Sequence, residues 1–263
     1  MSHPDPVAFQ LFGLDVRWYG IIMAAAILIA AVITCRRAPR HGITADSMLD
    51  ILIIAVPCGI VGARLYYVIF SWQYYAEDPL QIFDLRAGGL AIHGALLGGF
   101  LGAWLVCRHK KINFLNGLDL AVPAIALAQA IGRWGNYFNG EAHGGPTDLP
   151  WGIMVNGVKV HPTFLYESIW CLILFVLLLH IDDHRKFTGQ TACLYGILYS
   201  LERFFVEGLR TDSLMIGPFR QAQVLSISVI IICAAAYMIL RRHASDPAAG
   251  SGLSEEQKKG KTK

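Results

Sequence analysis

The sequence predicts an all-α polytopic membrane protein with seven transmembrane helices. The N-terminus is expected outside, the C-terminus in the cytoplasm, and a small outer cap between the fourth and fifth helices. Three observations predict this. Hydrophobic residues make up 55% of the 263 residues and charged ones only 16%, where a soluble domain carries about 25% charged residues. Apolar runs recur at lengths near the roughly 20 residues that a bilayer requires. Basic residues gather on alternate connections between those runs.

The runs cover 16–35, 48–70, 90–107, 117–132, 163–180, 190–206 and 220–240. The first is a span in its own right, without the short apolar core and small-residue cleavage site of a signal peptide. The third reads HGALLGGFLGAW. Its Gly94, Gly98 and Gly102 fall on one helix face, a spacing that lets a second helix approach closely. The fourth is short and holds Pro123, and the sixth carries Glu202 and Arg203 near its end. Residues 71–89 include Trp72, Tyr74 and Tyr75, aromatics suited to the membrane interface. The expected cap, about 133–162, ends in WGIMVNGVKV, which reads as a hairpin turning at Asn156-Gly157. Residues 1–242 read as one membrane domain and 243–263 as a disordered cytoplasmic tail of small, polar and charged residues.

Orientation follows from the cations. Arg36, Arg37 and Arg40 follow the first span, Arg108, Lys110 and Lys111 the third, and Arg185 and Lys186 the fifth. Arg241, Arg242, Lys258, Lys259, Lys261 and Lys263 follow the last. Fourteen of the 22 basic residues thus lie on one side, the cytoplasmic one. The rest, Arg86 among them, lie on the other side or inside spans. The net charge of +3 gives no case for nucleic acid. The six cysteines sit in apolar runs without metal-ligand spacing. They read as small packing hydrophobes, and neither a metal nor an organic cofactor is expected. No GxSxG nucleophile elbow is present, which disfavours a serine hydrolase.

The polar residues converge on the outer boundary. The topology brings there Tyr19 from the first span, Arg64 from the second, His93 from the third and Arg133 from the fourth. The fifth adds Tyr166 and Glu167, and the sixth adds Tyr199, Arg203, Glu207 and Arg210. The inner half receives Asp50 and Asp119, which read as helix caps. Ionisable groups at membrane depth are costly and therefore point to function. The densest cluster is GRWGNYFNGEAHGG, Gly132–Gly145. Arginine holds phosphate bidentately and stays charged, so Arg133 and Arg203 suit an anionic phospholipid or a departing phosphate. Asn136 and Glu141 suit orientation of the headgroup or of Arg133. His93 reads either as a packing residue or as a general base near neutral pH. A transporter or flippase of anionic lipid using the same arginines is the rival reading. It predicts polar groups through the full membrane depth.

These motifs resemble the bacterial prolipoprotein diacylglyceryl transferase family. The resemblance rests first on GRWGNYFNGEAHGG. It extends to RWYG (Arg17–Gly20), GGLAIHG (Gly88–Gly94), HPTFLYE (His161–Glu167) and RFFVEGLRTDSL (Arg203–Leu214). It runs in order from residue 17 to about 225. Two positions depart from the family's pattern: Glu202 precedes the RFF arginine where a small residue is common, and Ala222 precedes Gln223 where glycine is common. The resemblance implies transfer of the diacylglyceryl group of phosphatidylglycerol to the lipobox cysteine of a prolipoprotein signal peptide, at the outer face of the bacterial inner membrane. A thioether forms and glycerol phosphate leaves, without a cofactor. By motif, His93, Arg133, Arg203 and Tyr19 are implied as catalytic. Arg133, Asn136, Glu141, Gly144, Tyr199, Arg203, Glu207 and Arg210 are implied to bind phosphatidylglycerol.

Overall fold

Backbone groups in lipid find no water, so long apolar runs must satisfy them internally, as helices. The computed structural model describes residues 5–84, 88–211 and 213–245. Among these, eight α-helices dominate: α1 Trp18–Arg37, α2 Ala45–Phe70, α3 Trp72–Ala76, α4 Ile92–His109, α5 Phe114–Asn139, α6 Thr163–Asp183, α7 Gln190–Leu209 and α8 Gln221–Ser245. Three antiparallel hairpins join them: β1 (Val7–Leu11) with β2 (Leu14–Arg17), β3 (Ile153–Val155) with β4 (Val158–Val160), and β5 (Met215–Ile216) with β6 (Phe219–Arg220). Five helices, α1, α2, α5, α6 and α8, are long and apolar enough to cross a membrane. Helices α4 and α7 have 18 and 20 residues. Glycines and a basic last turn dilute the apolarity of α4, and Glu202, Arg203 and Glu207 dilute that of α7. Arg86 and the tail from residue 246, expected to be disordered, lie outside the described residues. Helix α8 itself continues to Ser245.

Two elements differ from the sequence reading. Helix α5 runs on to Asn139, so the first half of the Gly132–Gly145 run is helix and the cap starts at Gly140, at φ +66°. Aromatic packing holds these extra turns. Tyr137 stacks on Phe164 with centroids 4.9 Å apart, and Phe138 on Trp18 at 5.3 Å. The N-terminal hairpin was not foreseen. Its tip, Phe12-Gly13, takes positive φ at both residues, and Phe12 is 96% exposed.

The chain divides into two compact units, one comprising residues up to Ala30 and from Leu118 on, the other Ala31–Gly117. In the second, the side chain of Thr44 caps α2 by accepting from Ser47 N–H (3.1 Å). Helices α2 and α4 then meet backbone to backbone. A Cβ on Gly98 would strike the carbonyl of Cys58, and one on Gly94 would strike the carbonyl of Gly62. On Gly102 it would lie 2.9 Å from Cys58 Cβ. The glycine spacing on α4 is thus a close-packing face. Of the interfacial aromatics expected at 72–75, Trp72 and Tyr74 are exposed, but Tyr75 is buried, with the Arg64 guanidinium 5.2 Å over its ring.

In the first unit, Ala126, Leu174 and Leu178 form a core against which Tyr195, Leu198 and Tyr199 pack. The β3–β4 hairpin turns at Asn156-Gly157, both at positive φ, in agreement with the sequence. Asp119 is fully buried. It caps α7 rather than its own helix, accepting from Gly189 N–H (2.6 Å) and Ala192 N–H (2.9 Å) and pairing with Arg185 (3.2 Å). Asp50 lies inside α2, whose cap is Thr44, and pairs with Lys110.

Gly98→Leu should destabilise the α2–α4 contact by at least the ~1–3 kcal/mol typical of overpacking. Thermal unfolding in detergent measures this, with exposed Ile53→Leu as the neutral control.

Candidate active site

Helices α5, α6 and α7 each bring charge into an apolar setting, and a charge there must be paired. Glu167, in the second turn of α6, pairs with three arginines. It forms a close ion pair with Arg133 Nε of α5. Its Oε1 accepts from Arg203 Nη1 of α7 at 2.8 Å and lies 3.9 Å from Arg210 Nη1. Arg203 Nη2 pairs with Glu207 one turn along α7, at 2.6 Å. Arg133 Nη2 donates to the Tyr199 hydroxyl at 3.2 Å. The side chains of Glu167 and Glu207 are 2% and 3% exposed, those of Arg133 and Arg203 20% and 21%. The carboxylates are sealed in while the guanidiniums reach the surface. A guanidinium has five N–H donors, and among the described residues these contacts occupy two on Arg133 and two on Arg203, leaving the others to meet an anion.

Of the sequence-predicted residues, Arg133, Tyr199, Arg203, Glu207 and Arg210 are brought into this one network. Tyr199, Arg203 and Glu207 share a face of α7, while Arg210 is the first extended residue beyond it. Asn136 and Glu141 form a neighbouring knot: Asn136 Nδ2 and Asn139 Nδ2 both donate to Glu141 Oε1, each at 3.1 Å, and Glu141 N–H donates to the Asn136 carbonyl, also at 3.1 Å. This knot turns the chain from α5 into the cap. Tyr19 lies with its ring against Gly135, where a Cβ would come within 2.7 Å.

Gly144 sits where three backbone segments meet. Its N–H donates to the His161 carbonyl (2.9 Å), Gly145 N–H donates to Leu209 (3.0 Å), and the Thr163 hydroxyl donates to Ala142. A Cβ on Gly144 would lie 2.7 Å from His161 Cβ and 3.0 Å from the Leu209 carbonyl. Any larger residue would push the cap off the end of α7. Arg220 ties the same corner from β6, donating to the carbonyls of Glu207 and Arg210 (3.0 Å for the latter).

His93 and Arg64 belong to the other unit. His93 is the second residue of α4 and packs against Tyr66, with centroids 5.8 Å apart. Arg64 is committed to loop structure. Its guanidinium donates to the carbonyls of Gln81 (2.5 Å), Ile82 (2.8 Å), Asp84 (2.9 Å), Gly88 (2.7 Å) and Gly89 (3.1 Å). With Ala91 N–H donating to Ala63 at 3.1 Å, these bonds fix the start of α4 and so the backbone that carries His93.

Glu167 is absent from the site residues that the sequence predicts, although it is ionisable and near a span start. The available signal was a carboxylate in the otherwise apolar run TFLYESIWCLILF. Removing it takes from Arg133 its ion-pair partner among the described residues and leaves Arg203 paired with Glu207. Glu167→Ala should therefore cost about 3–5 kcal/mol in thermal or denaturant unfolding. In a double-mutant cycle, Arg203→Ala added to Glu167→Ala should cost less than it does alone.

Known proteins resemble this chain over most of its length. The family model for prolipoprotein diacylglyceryl transferase matches residues 6–239. A phosphatidylglycerol–prolipoprotein diacylglyceryl transferase of Clostridioides difficile (strain 630) is 56% identical over 227 residues, covering 86% of this chain and 92% of the relative. One from Finegoldia magna is 50% identical over 228 residues, covering 86% and 92%. One from Staphylococcus aureus (strain JH9) is 47% identical over 244 residues, covering 88% and 87%. The chain belongs to the prolipoprotein diacylglyceryl transferase family.

Proposed function

We propose that the chain transfers the diacylglyceryl group of phosphatidylglycerol to the thiol of a lipobox cysteine in a prolipoprotein signal peptide. The observation that carries this reading is the pair of part-exposed guanidiniums, Arg133 and Arg203, held side by side on Glu167, in a chain of this family. The lipid's phosphodiester is an anion of the size and oxygen geometry that paired guanidiniums hold.

The step balances as a substitution at carbon. The thiol gives up its proton and the thiolate attacks the terminal glycerol carbon of the diacylglyceryl group. The carbon–sulfur bond forms as the carbon–oxygen bond to phosphate breaks, and the electron pair leaves with glycerol phosphate. Arg133 and Arg203 stabilise the charge that grows on that phosphate. Tyr199, held by Arg133, and Tyr19 add hydroxyl donors. The role of proton acceptor is assigned to His93 from the GGLAIHG motif and the basicity of imidazole near neutral pH. The Asn136–Glu141 knot and Gly144 keep the cap in the shape that Arg133 and Arg210 require.

The same reading places seven spans in the plasma (inner) membrane, with α4 and α7 joining the five more apolar helices. The N-terminus is outside, the C-terminus is cytoplasmic, and the site faces outward. The alternation of cations along the chain supports it.

Thioether transfer tests the reading. Purified protein, phosphatidylglycerol labelled in its diacylglyceryl part and a lipobox peptide should yield labelled peptide, and a Cys→Ser peptide none. Arg133→Ala should lower turnover at least 100-fold, the scale of losing a transition-state donor. No transfer by folded wild type would overturn the function. His93→Gln should cost about 100-fold or more, as loss of a general base does, and near-normal turnover would remove His93 from that role.

A further inference from the structure

One buried carboxylate of the site is not used by the mechanism above. Glu202 precedes Arg203 on α7 and is 7% exposed. Neither of its oxygens has a hydrogen-bond partner, and no ion pair engages it among the described residues. The other two carboxylates of the cluster differ: Glu167 is paired with Arg133, Arg203 and Arg210, and Glu207 with Arg203. Glu202 belongs to the same helix as Tyr199, Arg203 and Glu207. On α7 it directly precedes Arg203 and lies one turn after Tyr199.

An acceptor stripped of water and left without a donor is costly, and its retention beside a ligand site points to a donor on the ligand. The lipid phosphate is not that donor, since it is an anion and carries no proton to give. The group joined to the phosphate is. The headgroup of phosphatidylglycerol ends in a glycerol with two hydroxyls, a few bonds from the phosphorus.

We propose that Glu202 recognises the headgroup: its carboxylate accepts hydrogen bonds from the glycerol hydroxyls of the lipid whose phosphate Arg133 and Arg203 hold. The inference rests on the phosphatidylglycerol reading and sharpens it. The arginines select an anionic phospholipid, and Glu202 selects among such lipids for one bearing hydroxyls. It also disfavours a bare phosphate monoester, whose second negative charge would face the carboxylate.

The test compares two donors of equal charge and equal acyl chains in the thioether assay. One is phosphatidylglycerol and the other phosphatidylethanol, whose headgroup has no hydroxyl. Wild type should use phosphatidylglycerol about 10- to 100-fold better in kcat/KM, the range of a hydrogen bond to a charged group. Glu202→Ala should bring the two lipids within about 3-fold. It should do so by raising KM for phosphatidylglycerol while leaving phosphatidylethanol turnover in place. Glu202→Gln keeps one acceptor oxygen and should fall between, and it decides the matter if the alanine variant does not melt like wild type. A folded variant that keeps the wild-type ratio, or loses both lipids equally, overturns the proposal. Equal use of the two lipids by wild type overturns it as well. Wild type that transfers from neither lipid overturns the transferase reading and this proposal with it.

Discussion

The site depends on the pairing of one buried carboxylate. Glu167 lies almost sealed on α6, and three arginines from α5, α7 and the residue after α7 are drawn to it. Without it, those guanidiniums would repel one another in a low-dielectric setting where charge repulsion is strong. With it, they are held close together, aimed and partly exposed. The network therefore does two things. It locks three segments of the chain, and it holds the guanidiniums of Arg133 and Arg203 close together and partly exposed.

The neighbouring features protect that arrangement. The Asn136–Glu141 knot ends α5 after its aromatic turns have packed on Phe164 and Trp18. The backbone junction at Gly144 joins the cap to the end of α7 so tightly that no side chain fits. Arg220 fastens the segment after α7 from the other side. At the opposite end of α7, Asp119 caps its first turn and fixes the helix along its length. A helix pinned at both ends keeps Tyr199, Arg203 and Glu207 in register with Arg133 and Glu167. Preorganisation of this kind is what charge stabilisation in a transition state requires.

Much of this was legible in the sequence, and for physical reasons. Apolar runs must be helices in lipid, so every predicted span falls on a helix, with ends shifted by a few residues. The arginines of the site announced themselves because a charge in such a run has few other uses. Asn156-Gly157 announced a hairpin because both residues tolerate positive φ. What escaped was decided by tertiary contacts. Nothing local in WGNYFN says that α5 continues, since its last turns are held by aromatics from elsewhere in the chain. Asp119 looked like a cap of its own helix because its partners, Gly189 and Ala192, are some 70 residues away in sequence. Arg64 counts among the polar groups the sequence places at the outer boundary, yet its donors are taken by five loop carbonyls. Glu167 was seen as a polar residue at a boundary, but its place at the centre follows only from the way α5, α6 and α7 pack.

The most direct test of the central claim is equilibrium lipid binding without turnover. Purified protein would be titrated with phosphatidylglycerol and with phosphatidylcholine of the same chains, as wild type and as the Arg133→Gln/Arg203→Gln double variant. The account predicts tight, salt-sensitive binding of the anionic lipid by wild type. It predicts weak binding of phosphatidylcholine, and loss of the difference in a double variant that still folds. Undiminished preference for phosphatidylglycerol in that variant would contradict it, because the phosphate would then be held by groups other than the arginines gathered on Glu167.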